Sequence, residues 1–339
     1  MRQRIKFIQF FDLLIITGLF LMAGCKSQPE YYETRGTKHT SFLVKYEYHK
    51  PLDTEIDSLF HVWFSSLNAF DPNSLTSEIN NNKETQVDSL FIATFQKASV
   101  IYQKSNGFFD VTLGPIIDFW GFGKAGRPEN ILTEEIDSIL AFTGLDKVKI
   151  SGSHLIKNDP RIRLNFSGLG DGAICDLIAG FLEDKGIQNF LVEIGGEVVG
   201  KGINRHGIPW KVGINKPIDD NSGKRNEIGH IVQFQERTAL ATSGDYRNFY
   251  VMHGKKYAHT IDPHTGYPAH SDILSATVIA PDCLTADAFA TAFMSMGLKN
   301  AKSVLSQNPD LDYLFIMSDD NGNFIYECSE GMKKNLIEF

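Results

Sequence analysis

Helical and strand-like hydrophobic patterns are mixed along this chain without a regular strand–helix–strand alternation. Apolar side chains recur every three or four residues over 53–67, and residues 87–102 repeat this spacing, which predicts two amphipathic helices. Further helices are predicted at 133–142, 172–185 and 286–296, and strands at 37–48, 190–199, 274–280, 313–317 and 324–328. This order predicts an α+β fold built as one body.

The composition is that of an ordinary globular protein. The chain has 339 residues, of which 42% are hydrophobic and 22% charged, so it is long enough to bury a sizeable core. These values exclude a collagen, a low-complexity chain and a multi-span membrane protein. The net charge of −8, without a basic block, argues against a nucleic-acid binder.

The first 24 residues have the pattern of an export signal rather than of a folded segment. Basic residues at positions 2, 4 and 6 precede a short apolar stretch, and Leu-Met-Ala-Gly at 21–24 leads directly to Cys25. This ending resembles a bacterial lipobox, which implies cleavage before Cys25 and lipidation of its thiol. The alternative is an uncleaved N-terminal anchor. In either case the body is expected outside the cytoplasm, tethered to a membrane by a polar segment at 25–36.

The other three cysteines give no metal motif. Cys175, Cys283 and Cys328 form no CxxC pair, so neither a zinc site nor a thioredoxin-like site is predicted. One disulfide is possible in an oxidising compartment, and it would leave one thiol free. Burial as small hydrophobic side chains is the favoured interpretation.

A carboxylate and a hydroxyl lie one helical turn apart in the predicted helix at 286–296. Asp287 and Thr291 are four residues apart, so their oxygen atoms share one helix face. Mg²⁺ prefers such oxygen ligands and completes its octahedron with phosphate oxygens. The alternative is structural: Thr285 caps the helix and Asp287 interacts favourably with its dipole.

Two glycine-containing segments are candidates for ligand binding. Residues 164–172, Leu-Asn-Phe-Ser-Gly-Leu-Gly-Asp-Gly, predict a strand, a turn and a helix N-terminus, an arrangement that binds anions. In residues 108–123, aromatic rings stand beside glycines and suit a flat ligand. The alternatives are a core aromatic turn for 108–123 and, for Asp171, a carboxylate placed at a helix start by the dipole.

Five ordered motifs resemble the ApbE family of FAD:protein FMN transferases. They are Asp-Val-Thr-Leu-Gly-Pro at 110–115, Ile-Gly-Gly-Glu at 194–197, Ala-Thr-Ser-Gly-Asp-Tyr at 241–246, His-Thr-Ile-Asp-Pro-His-Thr-Gly at 259–266 and Ala-Asp-Ala-Phe-Ala-Thr-Ala at 286–292. The resemblance implies a T-fold-like α+β body, a single compact domain of mixed helices and antiparallel sheets over 37–339. It also implies Mg²⁺-dependent cleavage of FAD, attachment of FMN by a phosphoester to a Thr or Ser of a redox protein, and release of AMP. The target would be a subunit of a membrane electron-transfer complex.

The resemblance also assigns site residues. Asp287 and Thr291 match the metal-binding Asp and Thr of the family, and Gly168 matches the position that supplies a backbone carbonyl. Asn165 and Asp171 stand where many relatives have Asp and a Lys or Glu, respectively. The positions that match the FAD-binding segments are Lys38, Phe70, Phe109, Asp110, Val111, Asn165, Asp171 and Ile261.

The catalytic base and the final acceptor are left open by the sequence. His259 is the first candidate for the base because an imidazole titrates near working pH, and Asp287 is the second. His259 is alternatively a structural residue that orients the turn at Asp262. Two other functions compete with transfer to a protein: hydrolysis of FAD to FMN and AMP, and non-catalytic FAD binding by a lipoprotein.

Overall fold

The computed structural model describes residues 29–338 except 129, 220–226, 235 and 247. The predicted export signal and Cys25 therefore lie outside the described residues. Within the described part of the chain, no helix is both long enough and apolar enough to cross a membrane.

Fifteen strands and eight α-helices are described. The strands are β1 (Glu30–Lys38), β2 (Thr40–Tyr48), β3 (Val148–Ser151), β4 (His154–Lys157), β5 (Phe190–Ile194), β6 (Glu197–Lys201), β7 (Lys211–Asn215), β8 (Ile228–Gln233), β9 (Thr238–Gly244), β10 (Phe249–Met252), β11 (Lys255–Ala258), β12 (Ile273–Ala280), β13 (Asp312–Ser318), β14 (Phe324–Cys328) and β15 (Leu336–Glu338). The helices are α1 (Asp53–Leu67), α2 (Leu75–Asn80), α3 (Ser89–Lys104), α4 (Gly114–Phe119), α5 (Thr133–Leu140), α6 (Ser167–Asp184), α7 (Cys283–Gln307) and α8 (Glu330–Asn335).

An eight-stranded antiparallel sheet forms the centre of the molecule. Its strand order is β1-β2-β5-β6-β9-β12-β13-β14, and a separate three-stranded sheet has the order β15-β8-β7. Along β5, Val192 contributes to the large core on the helical side of the sheet, whereas its neighbour Leu191 packs with Trp210 and Val232 of the small sheet. This alternation buries both faces of β5 in the middle of the large sheet. Mixed helices and antiparallel sheets agree with the predicted α+β class.

Helices α6 and α7 pack closely on the helical side of the sheet. A Cβ atom at Gly172 would lie 2.4 Å from the carbonyl oxygen of Cys283 and 2.8 Å from Cβ of Asp287, so only glycine permits this approach. Helix α6 begins at Ser167, five residues earlier than the sequence predicts. The glycines at 168, 170 and 172 are therefore helical, because the tight packing against α7 favours small residues there over a separate turn.

Two other predicted boundaries differ from the structure. The predicted tether at 25–36 overlaps β1, whose nine residues all pair with β2, so residues 30–36 belong to the sheet. The predicted helix end at Gly297 is a kink within α7, where φ is +70° and ψ is 170°, and helical structure resumes beyond it. The buried thiols Cys175 and Cys283 and the partly buried Cys328 are all free.

Candidate active site

A cleft of about 730 Å³ opens between α1, α6, α7 and the end of β9. Most residues that the sequence assigned to a site line it: Phe70, Phe109, Asp110, Asn165, Gly168, Asp171, His259, Ile261, Asp287 and Thr291. The two other predicted residues, Val111 and Lys38, do not line the cleft. Val111 is buried in the core, and Lys38 forms an ion pair with Asp57 at 2.9 Å. The fold thus brings together ten residues spread over more than 200 positions of sequence.

Oxygen atoms from α6 and α7 converge on one side of the cleft. The Thr291 hydroxyl donates to the carbonyl oxygen of Gly168 at 3.3 Å and lies 3.3 Å from Oγ of Ser243. One turn earlier on α7, Oδ2 of Asp287 accepts a hydrogen bond from the Gly172 amide at 3.1 Å. A carboxylate, a hydroxyl and a carbonyl are the hard oxygen ligands that Mg²⁺ takes. The residues present therefore fit a magnesium site.

Only one of these three candidate Mg²⁺ ligands, the carboxylate of Asp287, is an ionisable side chain. Within the described ranges, no group of three or more His, Cys, Asp and Glu side chains has the arrangement of a metal site. Asp287 is the one carboxylate among the three proposed ligands, so the remaining positions are left for substrate phosphates and water, as is common for Mg²⁺.

Two further carboxylates, those of Asp171 and Glu197, lie near Asp287. Burial, reinforced by the neighbouring Asp171 charge, raises the pKa of Asp287 to about 8. Burial also raises the pKa of Asp171 to about 6 and that of Glu197 well above its usual range. A Cβ atom at Gly195 would lie 2.1 Å from Oδ2 of Asp171 and 3.0 Å from Oε2 of Glu197. Gly195 therefore leaves room for both groups, and a bound cation would relieve the repulsion among the three carboxylates.

The N-terminus of α6 also faces the cleft. Oδ1 of Asn165 accepts hydrogen bonds from the amide and the hydroxyl of Ser167, at 2.9 and 2.6 Å. Asn165, Ser167 and Gly168 all line the cavity. The remaining amides of an 18-residue helix, together with its dipole, favour an anionic group at this position. The predicted helix N-terminus thus lies at the cleft, and anion binding there stays a prediction.

Aromatic rings form the apolar part of the cleft lining. Phe70 stands at the mouth with 44% of its surface exposed, and the His39 ring lies 4.5 Å from that of Phe64. Trp63 and Phe122 also line the cavity. Sequence reasoning did not assign Trp63 and Phe64 to the site because their helical spacing is equally typical of a core. Glu197, Ser243 and Phe122 were missed as well, although each lies within or beside a segment that the sequence singled out.

The carboxyl group of Asp110 is held by its own turn. It accepts hydrogen bonds from the amide and the hydroxyl of Thr112, both at 2.7 Å. Burial nevertheless raises its pKa to about 6. Asp110 thus lines the cleft while it fixes a turn within the aromatic segment 108–123.

His259 lies where the cleft opens to solvent. Its side chain is 40% exposed, and its Nδ1 atom lies 3.1 Å from the carbonyl oxygen of Asn248. The nearby turn at Asp262 is closed by its own carboxylate, which accepts from the His264 amide at 2.9 Å and from the Thr265 hydroxyl at 3.0 Å. The turn at Asp262 is thus closed without His259, and the role of His259 as a base stays a prediction.

Comparisons with known proteins identify the family of this chain. The sequence profile of the ApbE family matches residues 36–315. The FAD:protein FMN transferase of Vibrio cholerae is 34% identical over 328 residues, covering 94% of this chain and 96% of the relative, and that of Escherichia coli K12 is 30% identical over 349 residues, covering 93% and 94%. The prediction of this enzyme class is confirmed.

Solved structures show the same fold. The flavin transferase ApbE from Vibrio cholerae superposes with a TM-score of 0.79 at 33% identity, covering 91% of this chain and 99% of that one. The apo form of the Pseudomonas stutzeri flavinyl transferase ApbE gives a TM-score of 0.79 at 27% identity, with coverage of 91% and 97%. With the profile match over most of its length, the chain described here belongs to the ApbE family.

Proposed function

We propose that this protein is a Mg²⁺-dependent FAD:protein FMN transferase that modifies a Thr or Ser hydroxyl of a redox protein. The observation that carries the proposal is the convergence of Asp287, Thr291 and the Gly168 carbonyl beside the N-terminus of α6. In the reaction, the acceptor oxygen forms a bond to the phosphorus of the FMN half. The bond from that phosphorus to the bridging oxygen breaks, and AMP leaves with the electron pair.

Asp287, Thr291 and the Gly168 carbonyl would hold Mg²⁺, which when bound neutralises the charge on the pyrophosphate. The amides at the N-terminus of α6 hold a phosphate, and Asn165 fixes the first turn of that helix. The aromatic side of the cleft binds the flat flavin ring. His259 accepts the proton of the incoming hydroxyl at the open end of the cleft.

We propose further that the protein is exported and held at the membrane by lipid on Cys25. The lipobox-like ending of the N-terminal segment supports this proposal. The matching acceptor is a subunit of a membrane electron-transfer complex. Radiolabelled palmitate should enter the parent protein, whereas a Cys25→Ser variant should remain unlabelled and leave the membrane fraction. Equal labelling of parent and variant would exclude Cys25 as the lipid site.

Incubation of the purified protein with FAD, MgCl₂ and a candidate redox subunit tests the reaction. We expect fluorescence on the subunit that survives denaturation, a mass increase equal to one FMN phosphoester, and one AMP per modification. EDTA should abolish all three. FMN and AMP released only into solution would instead identify a pyrophosphatase, and bound but intact FAD would identify a flavin-binding lipoprotein.

A further inference from the structure

The surroundings of His259 define which ring nitrogen carries the proton. Its Nδ1 atom lies 3.1 Å from the carbonyl oxygen of Asn248. A carbonyl oxygen has no hydrogen to donate, so Nδ1–H is the donor in this contact. In the neutral ring, Nε2 then holds the lone pair. Nε2 is therefore the atom that can accept a proton from a ligand in the cleft.

The register of the β10–β11 hairpin fixes this contact. Phe249 pairs with Ala258, so Asn248 and His259 occupy the next position, where the two strands end beside the cleft. The backbone amide of His259 donates to the same Asn248 carbonyl at 3.1 Å. One carbonyl thus accepts from both the backbone and the ring of His259, and a one-residue slip of the hairpin would remove both bonds.

The carboxylate of Asp245 lies near the Nδ1 atom of the His259 ring. Oδ1 of Asp245 lies 3.9 Å from Nδ1 of His259, too far for a hydrogen bond but close enough for an electrostatic interaction. The hydroxyl of Thr260 donates to the same Oδ1 at 2.8 Å and holds the carboxylate in place. Only 16% of the Asp245 side chain is exposed.

Other groups around this pair are also defined. The Phe122 ring covers the imidazole edge-on, with the ring centroids 6.4 Å apart. Burial raises the pKa of Asp245, the charges of His259 and Lys256 oppose that rise, and the charge of Asp219 adds to it. Lys256 pairs with Asp219 at 2.5 Å, and the Asp245 carboxylate lies 3.9 Å from Nδ1 of the imidazole.

We propose that Asp245 is a positioning residue which, with the Asn248 carbonyl, presents Nε2 of His259 as the proton acceptor and stabilises the imidazolium. The inference rests on the proposed FMN transfer. The O–H bond of the acceptor hydroxyl breaks, its proton goes to Nε2, and its oxygen forms the new bond to phosphorus while AMP leaves. The ring then carries a positive charge 3.9 Å from the Asp245 carboxylate, which favours that state.

The first test measures the tautomer without substrate. Long-range ¹H–¹⁵N spectra of the full chain labelled at histidine nitrogen report which nitrogen is protonated, and a His259→Gln variant identifies the resonances. We expect a protonated Nδ1 and an unprotonated Nε2 in the neutral ring. The opposite tautomer would overturn the proposal whether or not the protein transfers FMN.

The second test compares Asp245→Asn with Asp219→Asn. Both variants remove one negative charge near the hairpin, but only the first removes the charge beside the ring. We expect Asp245→Asn to lower kcat about tenfold or more, to leave the KM for FAD within about twofold, and to move the acid limb of the pH profile to lower pH. Asp219→Asn should keep the parent profile. The proposal is overturned if the two variants behave alike, or if Asp245→Asn retains the parent profile.

The titration of His259 in the same spectra, from about pH 5 to pH 9, separates the two levels of the proposal. A shift in Asp245→Asn without any FMN transfer by the parent would retain the electrostatic coupling and refute the proposed function. Normal FMN transfer by the parent, with no shift of the His259 titration in Asp245→Asn, would retain the proposed function and refute the electrostatic coupling. Thr260→Ala should reproduce part of the shift, and Thr260→Ser should restore the parent titration, because serine keeps the hydroxyl that holds Asp245.

Discussion

The Thr291 hydroxyl and the Gly168 carbonyl oxygen meet at 3.3 Å, and this contact joins the first turn of α6 to the middle of α7. Both oxygens belong to the proposed magnesium site, so the site depends on how the two helices pack. A carbonyl cannot be removed by substitution, whereas the hydroxyl can.

Replacement of Thr291 by Val should therefore weaken Mg²⁺ binding while it preserves the shape of the side chain. We expect a loss of affinity at least as large as the roughly 10–100-fold that follows from removing an outer-shell partner. Titration calorimetry with MgCl₂ measures this loss. Thr291→Ser is the matched control and should bind nearly as the parent does. Equal binding by the Val and Ser variants would remove Thr291 from the ligand set.

Gly172→Ala should separate α6 from α7 and displace Asp287. The new Cβ would lie 2.4 Å from the Cys283 carbonyl oxygen, an overpacking that typically costs about 1–3 kcal/mol. Gly180→Ala is the control on the same helix, because its Cβ would meet no atom within 4 Å. It should stabilise the protein by about 0.5–1 kcal/mol through better helix propensity. Urea unfolding compares the two, and equal stabilities would contradict the close approach at Gly172.

Asp110 should make stability depend on pH. Its pKa is about 6 in the folded protein and 3.8 by reference, so the folded state favours the protonated form. Its contribution is fully present below about pH 4 and is lost as pH rises through about 6. Asp110→Asn should retain the acceptor oxygen for Thr112. Because the parent loses stability between those pH values and the uncharged variant does not, the unfolding midpoint of the variant minus that of the parent should increase over this range and then stay constant. A constant difference across the range would show that Asp110 does not titrate in this way.

Phe70 should contribute to FAD binding through its exposed ring. Phe70→Ala is expected to raise the KM for FAD roughly two- to tenfold, the equivalent of one aromatic contact, and Phe70→Tyr should restore it. Val62→Ala is the control because Val62 is similarly exposed, at 48%, but lies outside the cleft. If the KM is the same in all three variants, Phe70 does not contact the flavin.

Local sequence patterns predicted most of the secondary structure. Helix α1 has the predicted bounds of Asp53–Leu67, and α5 begins at the predicted Thr133, because each has apolar residues at helical spacing. The start of α6 could not be predicted this way, since its glycines are poor helix formers and only the contact of Gly172 with α7 explains them.

The candidate site was predictable only where a motif carried it. The placement of Asp287 and Thr291 on one face followed from their spacing. The contribution of Glu197 and Ser243 depends on the order of strands in the sheet, which no local pattern specifies. The contact between His259 and Asn248 depends on the hairpin register and could not be predicted from the sequence either.

The sheet begins close in sequence to the proposed lipidation site at Cys25. Strand β1 starts at Glu30, five residues after Cys25, and an extended chain covers at most about 3.6 Å per residue. A lipid on Cys25 would thus be connected to the edge strand of the large sheet by a tether of about 18 Å or less. Such a tether would hold the start of β1 close to the bilayer, and an acceptor hydroxyl would have to be displayed within reach of an enzyme held at that height.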